Sequence, residues 1–239
     1  MLPIKDDVPT RTTPVLTVAL ILANVLMWIL YQDAGAEPGL TASVNELAYH
    51  PCEVERTCAV TGEDWHVTAF TSMFMHGSWA HLLGNMLFLW IFGNNVEDEL
   101  GKVRFILFYV LGGLAATAAQ TVVTLGWGSA TEAAIPNVGA SGAIAAILGA
   151  YILLHPGGRV LTWIAPIFFI PIPAIIYLGL WFLFQLLEGG YAFTHPQEGG
   201  GVAYFAHVGG FAFGLLAIRL LATNVKDVSA RRRTQRVLR

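Results

Sequence analysis

Two residues of this chain carry side chains that could act together as a nucleophile and a base. Ser141 lies in the run Gly-Ala-Ser-Gly-Ala at 139–143, where an apolar stretch begins, and His207 lies in a second apolar stretch further along the chain. Polar and ionisable groups in such segments are costly to bury, so they are usually retained for a function. A histidine can accept the proton of a serine hydroxyl that attacks a carbonyl carbon. The pair therefore indicates acyl-transfer chemistry, provided that the fold brings the two residues together.

The elements that position these residues are predicted to be transmembrane helices. Hydrophobic residues make up 55% and charged residues 12% of the 239-residue chain, which is too apolar for an ordinary soluble domain. Six apolar runs are near the length that crosses a bilayer: 15–31, 80–96, 105–127, 138–154, 160–187 and 202–221. The fifth contains Pro166, Pro171 and Pro173, which should kink it or displace its start, because proline lacks the backbone donor. We therefore predict an all-α polytopic membrane protein.

The first run has some features of a cleaved signal peptide. Lys5 and Arg11 precede it, and the Ala-Gly-Ala run at 34–36 could serve as a cleavage site. However, the run is longer than a usual signal core, and Gln32 and Asp33 separate it from that site. We expect this segment to be retained as a true span, with cleavage as the alternative.

Charged residues orient the predicted spans. If the N-terminus is cytoplasmic, the inner segments hold twelve of the 13 Lys and Arg residues, and the outer loops hold only Arg56. This bias is the positive-inside signal, so both termini are predicted to be cytoplasmic. The Arg-Arg-Arg run at 231–233 is interpreted as a topology anchor, with binding of anionic lipid or a partner as the alternative. The chain then divides into a short cytoplasmic segment at 1–14, a six-helix domain at 15–222 and a basic cytoplasmic tail at 223–239.

This orientation predicts that the candidate residues lie at similar depth. The second, fourth and sixth spans all begin at the outer face. His81 and Ser141 lie at the start of their spans, and His207 lies about 8 Å deep at 1.5 Å per residue. Gly210 and Gly214 follow His207 in a stripe of small residues, and the fourth span has a similar stripe, so the two helices can approach closely.

The second span adds two hydrogen-bond donors. His81 and Asn85 are four residues apart, so they project from one face of a helix. Both side chains can donate hydrogen bonds to the oxyanion that forms when a carbonyl is attacked. The alternative is that the pair only joins neighbouring helices, as polar residues often do in membranes. The presence of Ser141 and His207 favours the oxyanion role.

Three segments resemble the rhomboid intramembrane serine proteases of the bacterial, six-helix type. They are Thr-Ser-Met-Phe-Met-His-Gly-Ser-Trp-Ala-His-Leu-Leu-Gly-Asn-Met at 71–86, Gly-Ala-Ser-Gly at 139–142 and Ala-His-Val-Gly-Gly at 206–210. The resemblance extends in order over residues 15–221. It implies a six-transmembrane-helix rhomboid-like bundle that hydrolyses peptide bonds in or near transmembrane segments of other membrane proteins.

The resemblance also implies roles for individual residues. Ser141 matches the nucleophile and His207 the general base. His81 and Asn85 match the side chains that bind the oxyanion together with the backbone amide of Ser141. It further implies supporting roles for five residues: His76, Gly139, Gly142, Gly210 and Gly214.

Two features of the sequence leave the orientation of His207 open. The outer halves of the predicted spans contain no Asp or Glu, so the catalytic group is expected to be a dyad without a carboxylate. In some members of the family an aromatic residue one turn after the serine stacks on the histidine, but this chain has Ala145 there. The fifth span is a candidate gate for substrate. The glycine-rich segment 188–201 is expected to be an outer loop; the resemblance implies that it caps the site, and the alternative is a simple connector.

The remaining expectations concern cysteines, cofactors and location. Cys52 and Cys58 form either a disulfide or two free thiols. The zinc-protease signature His-Glu-x-x-His is absent, and no cofactor, metal or nucleic acid is expected. The expected partners are transmembrane substrates and the lipid bilayer, and the expected location is a bacterial plasma membrane, with the site open to the extracytoplasmic side. The alternative function is an inactive rhomboid-like protein that binds and escorts membrane clients.

Overall fold

The computed structural model describes residues 1–58, 62–194 and 202–222, and this part of the chain is mainly helical. Its helices and strands are β1 (Leu2–Asp6), α1 (Val15–Leu26), α2 (Gly39–Leu47), α3 (Trp65–Thr71), α4 (Trp79–Phe88), α5 (Asn94–Leu100), α6 (Lys102–Trp127), α7 (Ala130–Ala133), α8 (Ser141–Leu154), β2 (Arg159–Ile164), β3 (Phe168–Pro173), α9 (Ala174–Thr194) and α10 (Tyr204–Leu221). A π-helical turn extends α1 to Tyr31, and another at Leu89–Gly93 joins α4 to α5.

Several of these helices are membrane segments. Within the described residues, three helices are long and apolar enough to cross a bilayer: Lys102–Trp127, Ala174–Ala192 and Tyr204–Leu221. Val15–Tyr31 and Ser141–Leu154 are apolar but shorter. The chain is therefore a membrane protein, and the count of six spans stays a prediction.

The prediction of an all-α chain is wrong in one region. Strands β1, β2 and β3 form an antiparallel sheet in that order, and the span predicted at 160–187 begins only with α9, at Ala174. Pro166, Pro171 and Pro173 displace the start of this span, because a helix interior cannot accommodate their missing donors. Pro171 and Pro173 lie in β3, an edge strand of the sheet, where a missing N–H is tolerated.

The N-terminal segment is attached to the ends of the helices. The carboxylate of Asp6, at the end of β1, accepts hydrogen bonds from the Tyr151 hydroxyl at 2.5 Å and from Asn95 Nδ2 at 2.8 Å. Burial raises the pKa of Asp6 to about 6, although the Tyr151 bond acts in the opposite direction. Further along, Arg11 Nε lies 2.9 Å from a carboxylate oxygen of Asp98. The division at residue 15 remains a prediction, and the tail at 223–239 lies outside the described residues.

Helix α1 makes buried polar contacts with the rest of the bundle. The Glu97 carboxylate accepts hydrogen bonds from the backbone N–H groups of Leu16 and Thr17 and from the Thr17 hydroxyl. At the other end of the segment, the Gln32 side chain donates to the His76 carbonyl at 2.7 Å and accepts from the His76 N–H at 2.8 Å. These contacts favour retention of the first span over its removal as a signal peptide.

Small residues allow the central helices to approach closely. A Cβ atom added at Gly210 would lie 2.2 Å from the carbonyl oxygen of Gly142, and one at Gly214 would lie 2.0 Å from that of Ala146. On another side of α8, a Cβ at Gly142 would lie 2.6 Å from the Cβ of Ala116 in α6. The predicted stripes on α8 and α10 therefore face each other, and α8 is buried along most of its length.

The loop between α1 and α4 connects to the segment that precedes Ser141. Cys52 and Cys58 form a disulfide, which decides between the two alternatives for these residues. Tyr49 and Asn137 exchange backbone hydrogen bonds of 2.7 and 3.3 Å. The segment leading to Ser141 is therefore held by residues far away in sequence.

Candidate active site

The structure brings Ser141 and His207 into hydrogen-bonding distance. Ser141 is the first residue of α8, and His207 lies in the first turn of α10. The Ser141 hydroxyl lies 2.8 Å from His207 Nε2. The glycine contacts between α8 and α10 make this distance possible, because bulkier residues would hold the helices apart. The predicted dyad is thus assembled from two helices that begin at the same end of the bundle.

A tight turn precedes Ser141. Gly139 has a φ of +120°, which L side chains rarely adopt, and its N–H donates to the Ser72 carbonyl at 2.8 Å. A Cβ at this position would also lie 2.7 Å from His81 Nε2. The turn leads directly into α8, and the N–H of the first helical residue has no partner within the helix. The Ser141 N–H can therefore donate to an oxyanion, at an end where the helix dipole also favours negative charge.

The two predicted oxyanion donors lie in the first two turns of α4. The N–H of Gly77 lies 3.5 Å from His81 Nδ1, which leaves the His81 Nε2 atom facing Gly139. The amide nitrogen of Asn85 donates to His76 Nε2 at 3.0 Å. That amide has two hydrogens, so the second can serve another acceptor. His76 is fully buried and contacts Asn85, which gives a physical reason for the supporting role predicted for it.

Sequence reasoning missed the residue that contacts the far side of His207. The Nδ1 atom of His207 lies 2.6 Å from the side-chain oxygen of Gln185, on α9. One turn earlier on the same helix, the Trp181 ring lies 5.8 Å from the His207 ring between centroids, at an interplanar angle of 40°. A polar residue within an apolar span is itself a signal of function, and it could have drawn attention to Gln185.

Close packing also explains why an aromatic residue is absent one turn after Ser141. Ala145 is fully buried, and a Cβ added at Gly210 would lie 3.2 Å from its Cβ. An aromatic ring at this position would have no space between α8 and α10. The aromatic contact with His207 comes instead from Trp181.

A second glutamine supports the start of α10. The side-chain oxygen of Gln120 in α6 accepts the N–H of Ala206 at 3.1 Å, and its nitrogen donates to the Thr124 hydroxyl at 3.0 Å. The same N–H also lies 3.1 Å from the Ala203 carbonyl, so Gln120 supplies a second acceptor in the first turn of the helix, beside His207. Sequence reasoning did not identify Gln120, although it too is a polar residue within an apolar span.

Two cavities lie around the start of α10. One of about 40 Å³ is lined by Ser141, Gly142, Ala206 and Gln120, among other residues. A second of about 90 Å³ also includes Gln120 and extends between α6, α9 and the start of α10. Within the described residues, no group of three or more His, Cys, Asp or Glu side chains is placed to hold a metal ion.

The predicted capping loop at 188–201 is only partly described. Helix α9 continues to Thr194, so the first half of this segment is helical and not a loop. This part of the prediction is wrong, because the glycines at 189 and 190 do not interrupt the helix. Residues 195–201 lie outside the described residues.

Comparisons with known proteins give a consistent result. A family model described as Rhomboid domain matches residues 63–224. The chain is 30% identical over 152 residues to Rhomboid protein 1, mitochondrial, of Saccharomyces cerevisiae, a match that covers 63% of this chain and 40% of that protein. It is 31% identical over 146 residues to rhomboid protease GluP of Bacillus subtilis, covering 61% and 26% of the two chains.

A plant relative shows similar coverage. The chain is 30% identical over 160 residues to RHOMBOID-like protein 12, mitochondrial, of Arabidopsis thaliana, a match that covers 63% of this chain and 45% of that protein. The chain thus spans less than half the length of these three relatives. Two of them are named as mitochondrial and one is bacterial, so the similarity does not decide between the two kinds of membrane.

Proposed function

Because this chain belongs to the rhomboid family, we propose that it is an intramembrane serine endopeptidase in which Ser141 and His207 form the catalytic dyad. The observation that carries the proposal is the 2.8 Å separation between the Ser141 hydroxyl and His207 Nε2. A serine on one helix and a histidine on another meet at this distance only if the helices are arranged for it. Nucleophile and base within hydrogen-bonding reach are the geometric signature of nucleophilic catalysis.

The first half of the reaction forms an acyl-enzyme. His207 Nε2 accepts the hydroxyl proton as the oxygen of Ser141 attacks the carbonyl carbon of the substrate. The negative charge that develops on the carbonyl oxygen is stabilised by the Ser141 N–H and by the side chains of His81 and Asn85. Collapse of the tetrahedral intermediate breaks the C–N bond, and His207 returns the proton to the leaving amine.

The second half of the reaction requires water. His207 accepts a proton from a water molecule, which attacks the ester carbonyl, and the proton then returns to the Ser141 oxygen as the carboxylic acid is released. The cavity of about 90 Å³ supports this step, because it provides space for water beside residues 203–205, at the start of the helix that carries His207. Gln120, which lines both cavities, offers polar atoms that can bind such water.

The proposed substrates are transmembrane segments with small or helix-destabilising residues near the outer membrane face. A carbonyl within an intact helix is hydrogen-bonded and shielded, so the segment must unwind before it can be attacked. The cavity of about 40 Å³ next to Ser141 supports a preference for small side chains, since Gly142, Ala143 and Ala206 line it closely.

We also propose that both termini are cytoplasmic and that the site opens to the extracytoplasmic side of a bacterial plasma membrane. The distribution of basic residues supports this orientation. Arg159 and Arg104 lie at the end of the bundle opposite Ser141: Arg159 begins β2 after the last turn of α8, and Arg104 contacts the Leu221 carbonyl at the end of α10.

Reporter fusions in a bacterial host test this orientation. Green fluorescent protein fused after Arg239 should be fluorescent, and alkaline phosphatase at the same position should be inactive, because the phosphatase needs disulfides that form only outside the cytoplasm. Phosphatase fused after Ser129, between α6 and α8, should be active. The reverse pattern would refute the proposed topology.

A fluorophosphonate probe tests the proposed function directly. The purified protein in detergent should be labelled, and labelling should disappear in Ser141→Ala and in His207→Ala, because the probe reacts with an activated serine. Ser229→Ala serves as a matched control that removes a different serine hydroxyl, and it should be labelled like the parent. Folding of every variant is checked by its thermal unfolding transition. A folded parent that is not labelled would contradict the proposal and favour the client-binding alternative.

A further inference from the structure

We propose that Gln185 is a positioning residue that holds His207 in the tautomer required for catalysis. The inference rests on the proposed function, because it assigns a role within the same site. It concerns the Nδ1 atom of His207, on the edge of the imidazole ring that points away from Ser141. Sequence reasoning identified no partner for this atom.

Both nitrogens of His207 have defined neighbours. For Nε2 to accept the Ser141 proton, the neutral imidazole must carry its hydrogen on Nδ1. That hydrogen needs an acceptor, because an unpaired buried donor is costly. The side-chain oxygen of Gln185, 2.6 Å from Nδ1, provides this acceptor. The hydrogen bond from Nδ1 to Gln185 therefore selects the tautomer whose Nε2 lone pair faces the Ser141 hydroxyl.

Neighbouring aromatic contacts keep Gln185 in position. The rings of Phe182 on α9 and Phe211 on α10 are stacked, with centroids 4.5 Å apart and an interplanar angle of 20°. Phe211 lies one turn after His207 on the same helix. The Trp181 ring packs against the rings of His207 and Phe211. These ring contacts hold α9 against α10 about one turn away from the hydrogen bond. Rotation of α9 that would withdraw Gln185 would also break these ring contacts.

The chemistry of a glutamine differs from that of the aspartate in a serine-histidine-aspartate triad. A carboxylate both orients the imidazole and stabilises the imidazolium that forms during attack, whereas a neutral amide mainly orients it. Among the described titratable groups, His81 on α4 is the one that acts electrostatically on His207. We therefore expect Gln185 to contribute less to the rate than a triad carboxylate does, by fixing the tautomer and the ring angle.

The simpler reading is that Gln185 only joins two membrane helices, as polar side chains often do. The two readings predict different results for substitution by Met, which keeps the length of the side chain but removes the acceptor. A structural role predicts lower thermal stability in proportion to any loss of activity. A positioning role predicts that kcat falls about 10- to 100-fold while KM stays within about twofold, because orientation affects the chemical step.

Gln185→Glu gives a readout that a structural role would not produce. A carboxylate at this position keeps the acceptor and favours the imidazolium form of His207. Activity requires neutral His207, so the acidic limb of the pH–rate profile should move to higher pH in Gln185→Glu. On the plateau at higher pH, kcat of Gln185→Glu should be greater than that of Gln185→Met. Leu187→Met, an exposed position two residues away, is the matched control and should behave like the parent.

The tautomer can also be observed without turnover. In the Ser141→Ala background, ¹⁵N spectra of labelled histidine should report His207 with its hydrogen on Nδ1, and Gln185→Met should reduce this population. A parent that neither labels nor cleaves would refute the proposed function. If the parent is active but Gln185→Met has the same kcat and the same His207 tautomer population as Leu187→Met, only the role of Gln185 would be refuted.

Discussion

Replacing either Ser141 or His207 with Ala should reduce cleavage of a transmembrane substrate by about 10⁴-fold or more, and replacing both should cost no more than either single change. In the proposed mechanism the two residues act as one unit, because His207 has no proton to accept without the Ser141 hydroxyl, and that hydroxyl is a weak nucleophile without the base. Their effects on the activation free energy are therefore not additive.

The measurement uses protein reconstituted into lipid vesicles with a model substrate that has Ala and Gly near the outer end of its transmembrane segment. Product is quantified by gel and its cleavage site by mass spectrometry. Ser229→Ala should cleave like the parent. His81→Ala and Asn85→Ala should each reduce kcat by about 10²- to 10³-fold, the range observed for the loss of one oxyanion donor. Cleavage by His207→Ala near the parental rate would contradict the assignment of the base.

The second large effect is expected from a single methyl group. Gly210→Ala should lower the stability of the protein by about 1–3 kcal/mol and reduce fluorophosphonate labelling by more than about tenfold. The added Cβ would lie 2.2 Å from the carbonyl oxygen of Gly142, a backbone atom that cannot rotate away. The helices must separate, and this displaces His207 from Ser141, one residue before Gly142.

Two further glycine variants make this prediction specific. Gly179→Ala, in α9, adds a Cβ with no heavy atom within 4 Å, so its thermal unfolding temperature should equal or slightly exceed that of the parent. In Gly214→Ala, one turn deeper, the added Cβ would lie 2.0 Å from the carbonyl oxygen of Ala146. This variant should lower stability with a smaller effect on the labelling rate. Parental stability in Gly210→Ala would show that α8 and α10 do not pack at the observed distance.

Much of the candidate site was predictable because it depends on local properties of the chain. The apolar runs indicated which segments enter the membrane, and their boundaries placed His81, Ser141 and His207 near the same face. Gly210 and Gly214 indicated a close helix contact, because small residues at four-residue spacing permit one. The prolines at 166, 171 and 173 predicted a displaced start of the fifth segment. They did not predict the sheet, since β2 pairs with β1, a segment far away in sequence at the N-terminal end of the chain.

The sequence by itself indicated that this protein lies in a membrane, and it indicated the proposed nucleophile and base and the small residues that let their helices meet. Only the tertiary structure decided which side chains surround His207. Gln120 and Gln185 are both isolated glutamines in apolar segments, and nothing in their local sequence distinguishes a lipid-facing or solvent-facing amide from one aimed at an imidazole. That difference is set by the rotation of α6 and α9 about their axes, which packing between distant segments fixes. For the same reason Ala145 left the orientation of His207 open in the sequence, whereas the structure supplies Trp181 and Gln185 from another helix.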